Sequence, residues 1–438
     1  MKANAWKKIA TAGLGLTMAV SITGCGNNAD QPQQGQGNQP AAETPAGETV
    51  ELIYARGKDQ TGATTKLVEE FQKLHPNIKV SFREMPSDTG QNHDQLVTMF
   101  SAQSSEIDVF DLDVIWPAEF AQAGYLLPLD RLIEQDGVKM DDYIKGAVAA
   151  GNFNGQQWAM PKFIDTGLLF YRSDLVPNPP KTWDELIALS KENKGKGGTK
   201  YGYIMQAKQY EGLVCNFIEF SAAYGGKILD EQGNVTINSP GTIKGLTKMT
   251  EIVKSDFVPK NITTYTEIES DATYLEGESV FLRNWPYHFA IANDKEKSKV
   301  VGNVKVAPLP AGDAGSAATL GGWMSGINKF SKHPKEAWEF LKFMTAAEGQ
   351  KITAVQGGSA PTFLPLYEDK DVQGASPLFA NKDFVNGISA AVPRPVSPVY
   401  PKISDIIQIE VSKVLAGQQA PEAAVQAMEA KIKEAVGK

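Results

Sequence analysis

Cysteine is nearly absent from this chain, whose 438 residues include only Cys25 and Cys215. Cys25 closes an export signal, so Cys215 stands alone in the folded part. An internal disulfide is excluded, and the fold must rest on its own core. Cys215 lies in the largely apolar run 211–220 and reads as a small buried hydrophobe rather than a nucleophile. Histidine is scarce as well: His75, His93, His288 and His333 are scattered, without the spacing of a metal site. An excess of cations is missing too, since 43 Lys and Arg face 51 Asp and Glu, for a net charge of −8. That balance argues against nucleic acid, whose phosphates need clustered Lys and Arg. The Gly-Lys-Gly-Gly-Thr-Lys stretch at 195–200 is the nearest thing to a basic patch and reads as a loop. There is no G-x-S-x-G elbow, no H-E-x-x-H helix, no P-loop and no internal repeat at a solenoid period. No cofactor and no metal are expected.

What is present begins at the N-terminus. Lys2, Lys7 and Lys8 precede an uncharged, mostly apolar run over 9–22. Such a run is too short to cross ~30 Å of hydrocarbon as a helix, and it fits the apolar region of a signal peptide. It ends in Ile22-Thr23-Gly24-Cys25, which resembles the lipobox of bacterial lipoproteins. That resemblance implies a cleaved signal over 1–24 and lipidation of Cys25, whose two acyl chains suffice for stable anchoring. An ordinary secretory signal with a chance cysteine would instead release a soluble product. Residues 25–48 are rich in Gln, Asn, Gly, Pro and Ala and read as a flexible tether with a reach on the order of 25 Å. The expected location is the outer face of the cell membrane. A Gram-positive surface is favoured, and a diderm periplasm stays open.

Beyond the tether, strand and helix signals alternate. Residues 50–55, 79–83 and 107–112 read as strands, and 158–161 and 167–172 continue the pattern. Helices are expected over 64–74, with Leu67, Val68, Phe71 and Leu74 on one face, and over 94–102 and 332–345. Another opens at Thr182-Trp183-Asp184-Glu185, a capping-box pattern, and runs to about residue 190. The alternation predicts an α/β fold with a mostly parallel sheet covered on both faces. Its length suits two domains with a ligand crevice between them. Trp183 and Trp338 fall in predicted helices and read as core.

Aromatic residues beside polar ones in loop settings are the chemical signal. A sugar ring offers an apolar C–H face and a rim of hydroxyls, so a binder needs flat aromatic faces with carboxylates, Arg and backbone N–H groups at the edge. The candidates are Asp113 with Trp116; Phe163 and Asp165; Trp285 and Tyr287; Gly321, Gly322 and Trp323; and Arg394. The glycine pair lets backbone approach a ligand closely. A surface glycoside hydrolase or esterase, using carboxylates such as Asp113 and Asp165, and an adhesive surface protein without a small ligand remain alternatives.

Longer motifs sharpen this picture. Asp108-Val-Phe-Asp-Leu-Asp113, Tyr125-Leu-Leu-Pro-Leu-Asp130, Ile164-Asp-Thr-Gly-Leu-Leu-Phe-Tyr-Arg172, Pro180-Lys-Thr-Trp-Asp-Glu-Leu186 and Lys208-Gln-Tyr-Glu-Gly-Leu-Val-Cys215 resemble the extracellular sugar-binding receptors of ABC importers. Arg283-Asn-Trp-Pro-Tyr287, Ala318-Thr-Leu-Gly-Gly-Trp323 and Ala391-Val-Pro-Arg-Pro395 draw the likeness toward trehalose/maltose-binding proteins. The resemblance implies a two-lobed, periplasmic-binding-protein-like fold with hinge segments, lobe 1 over 49–160 plus 304–350 and lobe 2 over 161–303 plus 351–438. It further implies a non-enzymatic monomer that closes over a disaccharide or short oligosaccharide and delivers it to membrane permease subunits. Asp113 and Asp165 would accept sugar hydroxyls from the two lobes. Trp285, Tyr287 and Trp323 would contact the ring, Gly321 and Gly322 would offer backbone donors, and Arg394 would donate to sugar oxygens. Three positions depart from the pattern. Asp59 or Gln60 stands near a family glutamate, Asn92-His93 replaces an arginine, and Phe163 replaces a tyrosine. The sugar class transfers, while the exact sugar does not.

Overall fold

Alternating burial along the first strand sets the architecture. In β1 (Val50–Arg56), Val50, Leu52 and Tyr54 enter one core while Ala55 enters another, as expected of a strand covered on both faces. The computed structural model describes residues 49–230, 232–389 and 391–437. The signal, Cys25 and the whole 25–48 tether lie outside the described residues.

Among the described residues eleven further strands follow: β2 (Ile78–Glu84), β3 (Val109–Asp113), β4 (Asn152–Phe153), β5 (Gln156–Gln157), β6 (Met160–Thr166), β7 (Leu168–Arg172), β8 (Tyr201–Ile204), β9 (Ser279–Asn284), β10 (Val304–Ala307), β11 (Leu320–Ile327) and β12 (Ala360–Pro361). They form a six-stranded sheet in the order β12-β6-β11-β3-β1-β2, a four-stranded sheet in the order β10-β7-β9-β8, and the small hairpin β4-β5. The fold is α/β and two-lobed, with one main sheet in each lobe.

The sheets are not mostly parallel, which corrects the expectation from element order. Among the strand pairs of the described residues, only β1–β2, β1–β3 and β8–β9 are parallel. β11 returns from the second sheet and inserts antiparallel between β3 and β6. A strand arriving from another lobe enters from the opposite end, and local strand and helix signals carry no trace of that direction. The sheets also divide the chain differently from the expected lobe boundaries. β6 and β12 belong to the first sheet, and β10 belongs to the second.

Crossing from β6 to β7 happens at Gly167. A β-carbon there would run into the Glu219 carboxylate and come within 2.9 Å of Arg283 Nη2. Those two groups form a buried ion pair under the crossing, so a side chain at 167 would displace one of them.

Most helices begin where the apolar period predicts. The helix Ala63–Leu74 buries Leu67, Val68 and Phe71, but Leu74 is 59 % exposed. His75 covers Phe71 in its place, ring on ring at 4.5 Å. The helix Trp183–Asn193 is capped by Thr182, whose hydroxyl accepts from the Glu185 N–H at 3.2 Å. Glu185 in turn accepts from Lys181 N–H, one residue beyond the reciprocal partner of a full capping box. Trp183 and Trp338 are core, at 1 % and 3 % exposure. The helix Thr89–Ser101 starts five residues before the expected 94, because Asp88 accepts from the Gly90 and Gln91 N–H groups and caps it there. The C-terminal helices Tyr400–Leu415 and Pro421–Ala435 pack against the helices Glu211–Ala223 and Pro240–Val253 beside the second sheet. No helix among the described residues is long and apolar enough to cross a membrane.

Candidate functional site

Strand ends of both sheets converge on a cavity of about 280 Å³. The ends of β3, β6 and β11 supply Asp113, Asp165 and Gly321 to Trp323, while Trp285 and Tyr287 follow β9. Four helices also begin at its wall: Ala63–Leu74, Thr89–Ser101, Glu211–Ala223 and Glu267–Leu275. Their N-termini carry positive partial charge, which favours the carboxylates found at or just before each one: Asp59, Asp88, Glu211 and Glu267.

Trp285 is held on several sides. The Arg283 guanidinium lies 3.8 Å from its ring centroid, and its Nε1 donates to Glu267 Oε1 at 3.1 Å. Gly321 leaves room for the ring, since a β-carbon there would sit 3.0 Å from Trp285 Cζ3. Tyr287 donates to Asp271 Oδ2 at 2.7 Å. Asp271 also accepts from Asn284 and shares a hydrogen bond with His288. Trp285 and Tyr287 are thus held in place by hydrogen bonds before any ligand arrives, which limits the ordering penalty of binding.

Gly322 has φ +125°, and a β-carbon there would lie 2.5 Å from the Phe163 carbonyl oxygen. Both glycines sit in β11 opposite β6, Gly321 beside Asp165 and Gly322 beside Ile164. The glycine pair therefore lets Trp285 and the backbone of β6 approach. Directly after it the register slips: Trp323 pairs with Phe163, and Met324 pairs with Pro161. Lys162 is the extra residue of this bulge. A bulge re-aims side chains, and here Lys162, Phe163 and Asp165 all line the same cavity.

Most charges around the cavity are already paired. Arg394 donates to Asp113 Oδ1 at 2.6 Å and to Glu211 Oε1 at 2.9 Å, and Tyr400 and Ser404 also donate to Glu211. Lys162 donates to Asp111 Oδ2 and to the Tyr54 hydroxyl, each at 2.7 Å. Burial lowers the Lys162 pKa against the pull of Asp111. Burial raises that of Glu211, with Arg394 opposing. Asp165 behaves differently. Burial pushes it up to about 7; Arg283 and Arg394 oppose the rise, and the nearby charges of Asp113 and Glu267 add to it.

The sequence candidates separate into two groups. Asp59, Gln60, Asp113, Phe163, Asp165, Trp285, Tyr287, Gly321, Gly322, Trp323 and Arg394 line the cavity. Trp116 and His93 do not. Trp116 is 3 % exposed, stacked on Phe120 and edge-on to Trp323, so it supports a lining ring from behind. His93 is tied to Glu119 at 2.7 Å and to Asp94, and its neighbour Asn92 faces the cavity instead. Asp59 lines the cavity but is occupied locally. Although burial works against its charge, hydrogen bonds from Thr61 and Thr64 and the charge of Arg56 hold its pKa well below the usual carboxylate range. Lys162, Tyr210, Glu211 and Glu267 also line the cavity and were missed. For Glu267 a signal existed: Thr266 and Glu269 form a full capping box, and T-x-x-E is readable in the sequence. Cys215 touches the cavity at 2 % exposure, with its thiol pKa pushed up by burial. No group of three or more His, Cys, Asp or Glu residues is placed to hold a metal among the described residues.

Comparison with known proteins converges on one group. The bacterial extracellular solute-binding protein family matches residues 57–351. A probable ABC transporter-binding protein of Deinococcus radiodurans is 37 % identical over 345 residues, covering 76 % of this chain and 80 % of that protein. A maltotriose-binding protein of Pyrococcus abyssi is 25 % identical over 362 residues, covering 80 % of this chain and 73 % of that protein. Maltose-bound T. maritima MalE3 superposes with a TM-score of 0.84 at 36 % identity, covering 88 % of this chain and 100 % of that one.

Proposed function

Because the chain belongs to the bacterial extracellular solute-binding proteins, the sugar-binding components of ABC importers rather than enzymes, we propose that it captures an α-linked glucose disaccharide such as maltose or trehalose, or a short oligosaccharide. Closure of the two lobes over the sugar would shift the population toward a form that the permease distinguishes from the empty receptor. Lipidation at Cys25 would hold it at the outer face of the membrane on the 25–48 tether.

The observation that carries this reading is that the aromatic side chains of Trp285, Tyr287 and Trp323 line one cavity together with Asp165. Apolar ring faces stack on such side chains while hydroxyls reach the carboxyl. Charge pairing favours a neutral ligand. Lys162 with Asp111, Arg394 with Asp113 and Glu211, and Arg56 with Asp59 pair most of the lining charges, with Lys58, Asp165 and Glu267 outside those pairs. Asp113 reaches the sugar only beside Arg394, as one unit with it. The MalE3 relative at 36 % identity holds maltose, which supports maltose as the first sugar to test.

Calorimetry with maltose, trehalose, maltotriose and glucose tests this directly. Specific binding of one of the di- or trisaccharides is expected, with loss of about tenfold or more in Trp285→Ala. Folded protein that binds none of the four sugars would refute the proposal. Hydrolysis of a chromogenic α-glucoside would move the assignment to a hydrolase.

A further inference from the structure

A charged pair lies sealed where the chain passes between the two sheets. Arg283 is 0 % exposed and Glu219 1 %. Arg283 Nε donates to Glu219 Oε2 at 2.9 Å, its Nη2 donates to Oε1, and its Nη1 donates to Gln206 Oε1 at 3.3 Å. Gln206 donates back to the Arg283 carbonyl at 3.1 Å. Glu219 also accepts from the Thr319 N–H at 3.2 Å, where the chain returns into β11, and Gly167 at the outgoing crossing lies against the same carboxylate. The pair is thus tied to two of the segments that join the sheets.

These bonds all run along the edge of the guanidinium. Its flat face is left to Trp285, two residues on, whose ring centroid lies 3.8 Å away. An apolar pair of similar volume would serve stability as well as a buried ion pair, so what this pair adds is geometry. We propose that Arg283, gripped by Glu219 and Gln206, is a positioning residue that backs the Trp285 ring and fixes its orientation relative to the crossing between the lobes. The proposal rests on the sugar-binding reading above, in which Trp285 contacts the ring, and assigns the group that supports it. Glu267 holds the edge of the indole through Nε1, whereas Arg283 holds its plane. A desolvated cation against an indole face is attractive, and a ring fixed in this way is ordered before the ligand arrives. Lysine would keep the charge but has neither the plane nor the fork of donors, so the arrangement requires arginine.

Near-ultraviolet circular dichroism and maltose calorimetry on the full chain test this with Arg283→Lys, Trp285→Phe and the double variant. In the sugar-free protein, the difference spectrum between wild type and Trp285→Phe reports the packed indole. The same difference taken in the Arg283→Lys background should fall to about half or less. Arg283→Lys should weaken maltose binding about five- to thirtyfold. The double variant should bind no more than about twofold more weakly than the weaker single variant, because both changes remove one shared interaction. Glu219→Asp keeps the charge but withdraws the carboxylate, and it should reproduce both effects in the same cycle if Arg283→Lys does not fold. An undiminished Trp285 difference spectrum, or single losses that multiply in the double variant, would overturn the positioning role and leave the receptor reading standing. Wild-type protein that does not bind maltose would overturn the role of Arg283 in sugar capture even where the spectral signature appears.

Discussion

Asp165→Asn isolates the cost of ionising a carboxyl buried in the cavity. Asp165 is 7 % exposed, and burial moves it from an ordinary 3.8 to about 7. A difference of about three pH units corresponds to about 4 kcal/mol, an upper figure for a site that water can enter. The sign follows from the direction of the change. The folded state holds the proton more tightly than the unfolded chain does, so this group's contribution is complete below pH ~4 and is lost as pH rises through 7. Asparagine never ionises. The variant should therefore match wild type near pH 4 and exceed it by up to about 4 kcal/mol at pH 8. Urea denaturation of both sugar-free proteins from pH 4.5 to 8.5 measures the difference. A constant offset across that range would refute the reasoning. Sugar hydroxyls that donate to Asp165 favour its charged form, so wild-type affinity should weaken by up to about tenfold per unit as pH falls below 7. In Asp165→Asn that pH dependence should vanish.

Two further outcomes are expected. Arg394→Met removes the cation shared by Asp113 and Glu211, leaves two buried carboxylates unpaired and should cost about 3–5 kcal/mol, measured by denaturant unfolding; a loss under 1 kcal/mol would mean that water replaces the guanidinium. Gly322→Ala forces a β-carbon against the Phe163 carbonyl at φ +125° and should cost about 2–5 kcal/mol along with sugar binding, whereas wild-type affinity and stability in this variant would show that β11 shifts freely.

Local patterns revealed much of this protein. The two-residue burial period of β1 and the apolar stripe of the helix Ala63–Leu74 are visible as spacing, because each depends on neighbours within a few residues. The aromatic candidates were legible for the same reason: Trp285, Tyr287 and Trp323 stand at strand ends beside glycine and polar residues, and all three line the cavity. The family resemblance carried by longer motifs agrees with the comparisons.

Other features were decided only by tertiary structure. Arg394 and Asp113 are 281 positions apart, and no local signal foretells that a cation and an acceptor expected to face the ligand separately would bind one another. Lys162 reaches the cavity because β6 bulges opposite β11, a partner more than 150 positions away. Asn92 rather than His93 faces the ligand space because Asp88 starts its helix early and Glu119, from a different helix, holds the imidazole. Sequence by itself determined which segments become strands and helices, since those choices are short-range. Which side chains meet, in what direction strands pair and which charges are already neutralised depend on contacts between distant segments, which only the folded chain brings together.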